Sequence, residues 1–168
     1  MSILDLRFKP IDLKRHADTV RAFIRDTHLC SFGSMESFAG GDGRGEERFV
    51  ECIRERLAIE PESCLHVWQT DQIIGQLHLG RFVDPAIGYI NLLYVRPEWR
   101  GTGIAAAIEE YACESLQAHG FQSAYLSVTA QNHRAIRFYE KQGWRDLGPR
   151  EDRPGTHNME KIFEQATH

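Results

Sequence analysis

Leu92-Leu93-Tyr94-Val95-Arg96-Pro97-Glu98-Trp99-Arg100-Gly101-Thr102-Gly103-Ile104-Ala105-Ala106-Ala107 is the stretch on which the fold turns. Its first part is apolar and rich in β-formers, and Pro97 removes an N–H, so a central strand should end near Val95. After a short turn, apolar residues return at helical spacing as Ile104, Ile108, Tyr111 and Leu116. The segment therefore reads strand, glycine turn, helix. Gly101 and Gly103 allow unusual backbone dihedrals and close approach of a ligand. Arg100, Gly101 and Gly103 lie where the first helical N–H groups are unpaired, and Ala105, Ala106 and Ala107 add no bulk. A helix start with open amides, the positive end of a dipole and a nearby arginine suits a pyrophosphate.

The surrounding chain limits what this turn can serve. At 168 residues it is read as one domain, residues 1–168, able to bury a substantial core. Hydrophobic content of 42% and charged content of 26% are those of a globular domain. The net charge of −4 comes from scattered residues of both signs, with no basic patch, which argues against nucleic acid as a partner. A mildly acidic surface is a weak pointer toward a cationic substrate. No apolar run is long enough for a membrane span, and Met1 to Pro10 lacks the apolar centre of a signal peptide. Cys30, Cys52, Cys64 and Cys113 are far apart and read as free thiols of a reduced compartment, giving the expectation of a cytoplasmic protein without a bound metal. His66 and His78 fall in expected strands and read as structural.

Working along the chain, Asp5 to Phe8 reads as a first strand. Asp12 can cap a helix whose apolar face is Leu13, Ala17, Val20 and Ile24, ending near Cys30. Ser31 to Gly45, with five glycines, reads as a loop, a candidate flap beside an acceptor site carrying Phe32, Met35, Glu36 and Phe38. Glu46 to Glu60 reads as a helix stopped by Pro61. Leu65–Gln69 and Gln72–Leu79 form a hairpin around Thr70-Asp71. Tyr89 to Val95 is apolar on both faces, as in a strand covered on both sides. The helix after the glycine turn should stop at Gly120, and Ser123 to Val128 should then lie parallel to the pivotal strand, because a helix joins the two. Asn132 can cap a helix ended by Gly143; Trp144–Leu147 and His157–Phe163 read as strands around a charged loop, Pro149–Gly155.

Several phosphate ligands could use a strand–glycine–helix turn. Gly101 to Ala106 fits the dinucleotide pattern G-x-G-x-x-A, but Arg96 to Arg100 separate it from the strand. That pattern also wants an acid near the end of the next strand, and Phe121 to Gln131 contains none. No Gly-Lys-Ser/Thr follows, which excludes a Walker loop. Arg100-Gly101-Thr102-Gly103-Ile104-Ala105 instead fits R/Q-x-x-G-x-G/A, and Asn132-His133-Arg134-Ala135-Ile136-Arg137-Phe138-Tyr139-Glu140-Lys141-Gln142-Gly143-Trp144 fits N-x-x-A-x-x-F/L-Y-x-x-x-G-F/W at every fixed position. With these two motifs in this order, Tyr89 to Trp144 resembles the GNAT superfamily of N-acetyltransferases.

The resemblance implies an α/β fold with a mixed, mostly antiparallel central sheet, a parallel βαβ unit splayed around the cosubstrate, and helices on both faces. It implies acetyl-CoA as cosubstrate. Its pyrophosphate would lie on the amides of Gly101, Thr102, Gly103, Ile104, Ala105 and Ala106, with Arg100. The backbone of Leu93, Tyr94 and Val95 would pair with the pantetheine arm, and Asn132, Ala135 and Phe138 would line the same wall. An amide near Tyr94 or Val95 would polarise the thioester oxygen. The acceptor would be an amine on a small molecule, a protein N-terminus or a lysine. Dimerisation is common in the family, although no feature of this sequence requires it.

An amine with a pKa near 10.4 is neutral in only about one molecule in a few thousand at pH 7, so the site needs a proton acceptor or a desolvated amine. The departing thiolate needs a proton. Asn132 and Tyr139 are two helical turns apart, so one can hold the arm while the other reaches the sulfur, and Tyr139 is the expected general acid. The base is less readable. Where some family members carry a glutamate, five residues before the motif asparagine, this chain has Ser127. Tyr89 and Asn91 could order a water, and Glu36, Glu151 and Asp152 are further candidates. The rival reading is a non-catalytic acyl-CoA-binding module that regulates a partner.

Overall fold

A computed structural model describes residues 5–32, 44–81 and 84–164. In chain order the elements are β1 (Leu6–Pro10), α1 (Leu13–Phe32), α2 (Gly45–Ile59), β2 (Cys64–Gln69), β3 (Gln72–Arg81), β4 (Gly88–Val95), α3 (Ile104–Ala118), β5 (Ser123–Thr129), α4 (His133–Lys141), β6 (Arg145–Pro149) and β7 (Thr156–Ile162). The seven strands form one sheet in the order β1-β2-β3-β4-β5-β7-β6. Every neighbouring pair is antiparallel except β4 and β5. The sheet is mixed and mostly antiparallel with helices on both faces, as the motifs implied.

The local signals act where the sequence places them. Asp12 Oδ1 accepts from the amides of Lys14 and Arg15 at 3.1 and 3.3 Å, opening α1. That helix kinks at His16, whose backbone is non-helical. Asn132 Oδ1 accepts from the Ala135 amide at 3.2 Å and opens α4. The expected flap falls largely outside the described residues: α1 runs through Phe32, α2 begins at Gly45, and Met35, Glu36 and Phe38 lie among positions 33–43.

Alternation within the strands assigns the two faces. On one, Val20 of α1 and Val50 and Ile53 of α2 cover Cys64. On the other, Ile104, Ile108, Ala112 and Leu116, four residues apart along α3, pack on Leu65, Val67, Leu77, Leu126 and Met159. Each fully buried Ile, Leu, Val or Met side chain among them contributes roughly 1.5–3 kcal/mol, and Ala112 less.

The feature that positions the site is the short contact between β4 and β5. They pair in parallel only at Gly88–Ala124, Tyr89–Tyr125 and Ile90–Leu126. Beyond Ile90, β4 remains paired to β3 and β5 to β7, but not to each other. The register gives a cause: His78 lies opposite Leu92 and Leu79 opposite Ile90, so Asn91 is an extra residue on β4. Such a bulge bends its strand and increases the local twist. The result is a gap in the sheet flanked by Asn91–Val95 on one side and Ser127–Thr129 on the other.

Candidate active site

The glycine turn stands at the end of β4 beside this gap. Gly101 and Gly103 have φ of +76° and +90°, a region that disfavours residues with a Cβ. A Cβ on Gly101 would meet nothing within 4 Å, so the backbone there faces open space. Among the described residues, no carbonyl or side chain accepts from the amides of Gly101 to Ala106; the first helical bond runs from Ala107 N to Gly103 O, at 3.1 Å. Six consecutive open amides at a helix start are the kind of group that can hold an anion. Thr102 Oγ1 does not join them; it donates to the Trp99 carbonyl.

Arg100 is turned toward α1. Its Nε donates to Val95 O at 2.9 Å and its Nη2 to Asp26 Oδ2 at 2.6 Å, with Cys30 Sγ 3.6 Å from Nη1. The Tyr94 hydroxyl donates to the same Asp26 oxygen at 2.6 Å. Burial raises the Asp26 carboxyl, but the Tyr94 and Arg100 hydrogen bonds outweigh it and leave the group below the ordinary carboxylate range. The same aspartate, after burial itself, helps to push the Tyr94 phenol up. Asp26 thus ties α1 to both the end of β4 and the glycine turn, a role the sequence did not disclose.

Of the expected cosubstrate residues, Leu93, Ala105 and Ala135 edge the apolar cluster under α3, where Val95 and Ile104 are buried, and Tyr139, the expected general acid, edges it too. The Tyr94 side chain points to the opposite face, packed on Phe23 at 4.5 Å between ring centres. Phe138 meets Tyr139 edge-on at 5.1 Å, and Trp144 meets it at 6.0 Å. Tyr139 is half-buried, and burial, with Glu109 and Cys113 nearby, raises its phenol, which therefore stays protonated at neutral pH. The Asn132 carbonyl oxygen is engaged in the α4 cap, leaving its amide nitrogen for other partners.

Ser127, Tyr89 and Asn91 belong to the other face of the sheet, below α1 and α2. The Tyr89 hydroxyl donates to Ser127 Oγ at 2.6 Å, and Ser127 Oγ donates to Asn158 Oδ1 at 3.0 Å. Arg150 Nη1 donates to the same Oγ at 2.8 Å. Asp152, one candidate base, is gripped by Arg150, which holds its carboxylate below the usual range. An acid so stabilised is a poor proton acceptor. Asn91 Oδ1 lies 3.4 Å from Arg56 Nη1 of α2. Glu36, another candidate, lies outside the described residues, and Glu151 is exposed. Arg150 was not singled out from sequence; its one signal was a charged loop.

A mixed sheet of this topology, gapped between its two parallel strands and followed by a helix with open amides at its start, defines the class of the fold. The family model for the Acetyltransferase (GNAT) family matches residues 23–144, more than half of the chain. This chain belongs to that family. It is 30% identical over 110 residues to thialysine N-epsilon-acetyltransferase of Sus scrofa, covering 63% of this chain and 62% of that protein. It is 36% identical over 87 residues to an uncharacterised N-acetyltransferase of Mycobacterium bovis, covering 52% of this chain and 55% of that one. The chain thus spans less than two thirds of the length of these relatives. In three dimensions it is similar to the PaiA N-acetyltransferase of Thermoplasma acidophilum solved with coenzyme A: TM-score 0.71, 19% identity, 97% of this chain and 100% of that chain covered. That likeness concerns the fold.

Proposed function

We propose that this protein transfers an acetyl group from acetyl-CoA to an amine by direct attack. The observation that carries the proposal is the gap between β4 and β5 lying beside six open amides. The amides of Gly101 to Ala106 would hold the diphosphate, and Asn91–Val95, unpaired on the β5 side, would offer backbone partners to the pantetheine arm through Leu93, Tyr94 and Val95. Ala135 and Phe138 would wall the arm, and the Asn132 amide nitrogen would donate to it. Arg100 would add positive charge to the turn while braced by Asp26. Bound acetyl-CoA supplies a thioester carbonyl open to a neutral amine.

Tyr139 is the proton donor of this proposal. Its raised pKa keeps the proton on the phenol until a strong base comes near. A thiolate formed in the same desolvated surroundings is itself pushed up and becomes such a base. The Tyr89 hydroxyl, anchored on Ser127, can order a water that carries the amine's proton to solvent. The free cysteines, two of them buried, fit a reducing compartment, and we place the protein in the cytoplasm.

The test is release of free thiol from acetyl-CoA across a panel of amines. Tyr139→Phe preserves the packing and removes one proton; kcat should fall by about 10²–10⁴-fold with the Kd for CoA unchanged. Undiminished kcat in that variant removes Tyr139 from the chemistry. No CoA binding by calorimetry at millimolar concentration removes the whole reading.

A further inference from the structure

We propose that the acceptor carries a carboxylate as well as its amine, and that Arg150 receives this carboxylate on the acceptor face of the β4–β5 gap. The inference rests on the transferase reading above and names a substrate class for it.

The first argument is position. Ser127 is the residue of β5 immediately past the last pairing with β4, Ile90–Leu126. Ser127 Oγ accepts from Tyr89 at 2.6 Å and from Arg150 at 2.8 Å, and donates to Asn158 at 3.0 Å. Its three hydrogen-bonding positions are filled, so it is a fixed anchor. Through it the guanidinium of Arg150 is held at the mouth of the gap.

The second argument is the state of that guanidinium. The Arg150 side chain is only 13% exposed, yet its ion partner Asp152 is 69% exposed in the β6–β7 loop. Arg150 Nε and Nη2 bind the two Asp152 oxygens at 2.9 and 2.6 Å, the fork geometry that suits a carboxylate. The site is therefore already shaped around a carboxylate, and the one now there is a solvent-washed side chain two residues away. Asp152 is exposed, so its carboxylate is rehydrated when displaced, and another carboxylate can take its place while Ser127 keeps the arginine still.

The third argument is local charge. Arg56 lies beside Asn91 on the same face, so the flank of the gap carries a second guanidinium, while the Asp152 carboxylate is taken up by Arg150. A purely cationic acceptor would meet like charge there. An amino acid or similar zwitterion would present its carboxylate to Arg150, and the nearby guanidinium would favour the neutral form of its amine, which is the form that attacks.

The experiment compares the common L-amino acids with their carboxamides as acceptors, scored by thiol release from acetyl-CoA. The expected result is a KM at least tenfold lower for the acid than for the amide. Arg150→Gln should raise the KM for the acid about 10–100-fold and leave the amide's KM unchanged, with kcat little altered for either. Arg150→Lys should recover part of the loss, and Asp152→Asn should lower the KM for the acid by removing the competing carboxylate. Equal use of acids and amides by the unaltered protein overturns the proposal, as does turnover confined to amines without a carboxylate. A drop in kcat for acids and amides alike in Arg150→Gln would mark the arginine as a structural tie and overturn it too. Failure of CoA to bind at all would instead overturn the underlying transferase reading.

Discussion

At the scale of single residues, two glycines show opposite reasons for lacking a side chain. Gly101 needs its conformation: φ is +76° and a Cβ would face open space. Gly75 needs its emptiness: a Cβ there would sit 2.6 Å from the Tyr94 carbonyl oxygen and 3.1 Å from Ile108 Cδ1. The two alanine variants should therefore separate. Gly101→Ala strains a turn whose amides point to solvent, at roughly 1–2 kcal/mol. It should leave the thermal transition within a few degrees of the parent while weakening CoA binding about tenfold or more by calorimetry. Gly75→Ala presses on backbone and on the α3 core and should cost about 1–3 kcal/mol in urea unfolding. A Gly101→Ala protein that binds CoA normally would mean the turn does not hold the diphosphate. The glycine turn was readable from sequence because its whole mechanism fits in a few consecutive residues. Asp26, which braces the same turn through Arg100, was not, since its partners Tyr94 and Arg100 meet it only after β4 returns past α1.

At the scale of elements, α3 was readable as an amphipathic helix, but its buried stripe contains an acid. Glu109, 2% exposed, accepts through Oε1 from Trp144 Nε1 at 2.9 Å, Lys161 Nζ at 2.7 Å and Cys113 Sγ at 3.1 Å. One carboxylate thus pins α3 to the start of β6 and to β7, on the side where Tyr139 packs on Trp144. A charged residue inside an apolar stripe was a visible signal; what it pairs with was not, because Lys161 lies on the final strand. Glu109→Ala would leave the buried indole N–H without an acceptor and deprive Lys161 of its counter-ion. The expected loss is about 2–4 kcal/mol in urea unfolding, tempered because Lys161 is partly exposed and can turn to water. A loss within about half a kcal/mol of zero would show that the network is not structural. The same variant should lower kcat by loosening Tyr139, and a screen of kcat against stability across Glu109→Gln and Glu109→Ala would separate the two effects.

For the whole molecule, the mixed sheet and its one parallel pair followed from two motifs and one crossover, whereas the gap beside the candidate site depends on a one-residue bulge at Asn91 that no periodicity announces. The net charge of −4 was an equally poor guide, for it says nothing of how Arg56 and Arg150 are placed near the gap. His66 and His78 were read as structural, and their setting gives that reading a measurable consequence. Both are buried between the sheet and the helices α1 and α2, joined through Gln76: His66 Nε2 donates to Gln76 Oε1 at 2.9 Å, and Gln76 Nε2 donates to His78 Nε2 at 2.8 Å. Phe49 stacks on His78 at 5.6 Å, and His16 and Phe23 stand edge-on to His66. Burial, with the Arg56 charge acting on His78 and His16 on His66, lowers His66 to about 4 and His78 to about 3. Between those values and the unfolded value near 6.5, the unfolded chain binds more protons than the folded one, so stability is complete above about pH 6.5 and is lost as pH falls toward the folded pKa values. With two rings acting, the slope should approach about 2.7 kcal/mol per pH unit near pH 5, a loss of about 5 kcal/mol by pH 4.5, comparable to the lower end of the usual stability range of about 5–15 kcal/mol. Urea midpoints should thus be flat from pH 8 to 7 and fall steeply below pH 6, and the ring-proton NMR shifts of both histidines should stay constant from pH 8 to 5.5. If either ring titrates near 6.5 while the protein remains folded, that imidazole reaches water and the dry Gln76 bridge does not exist.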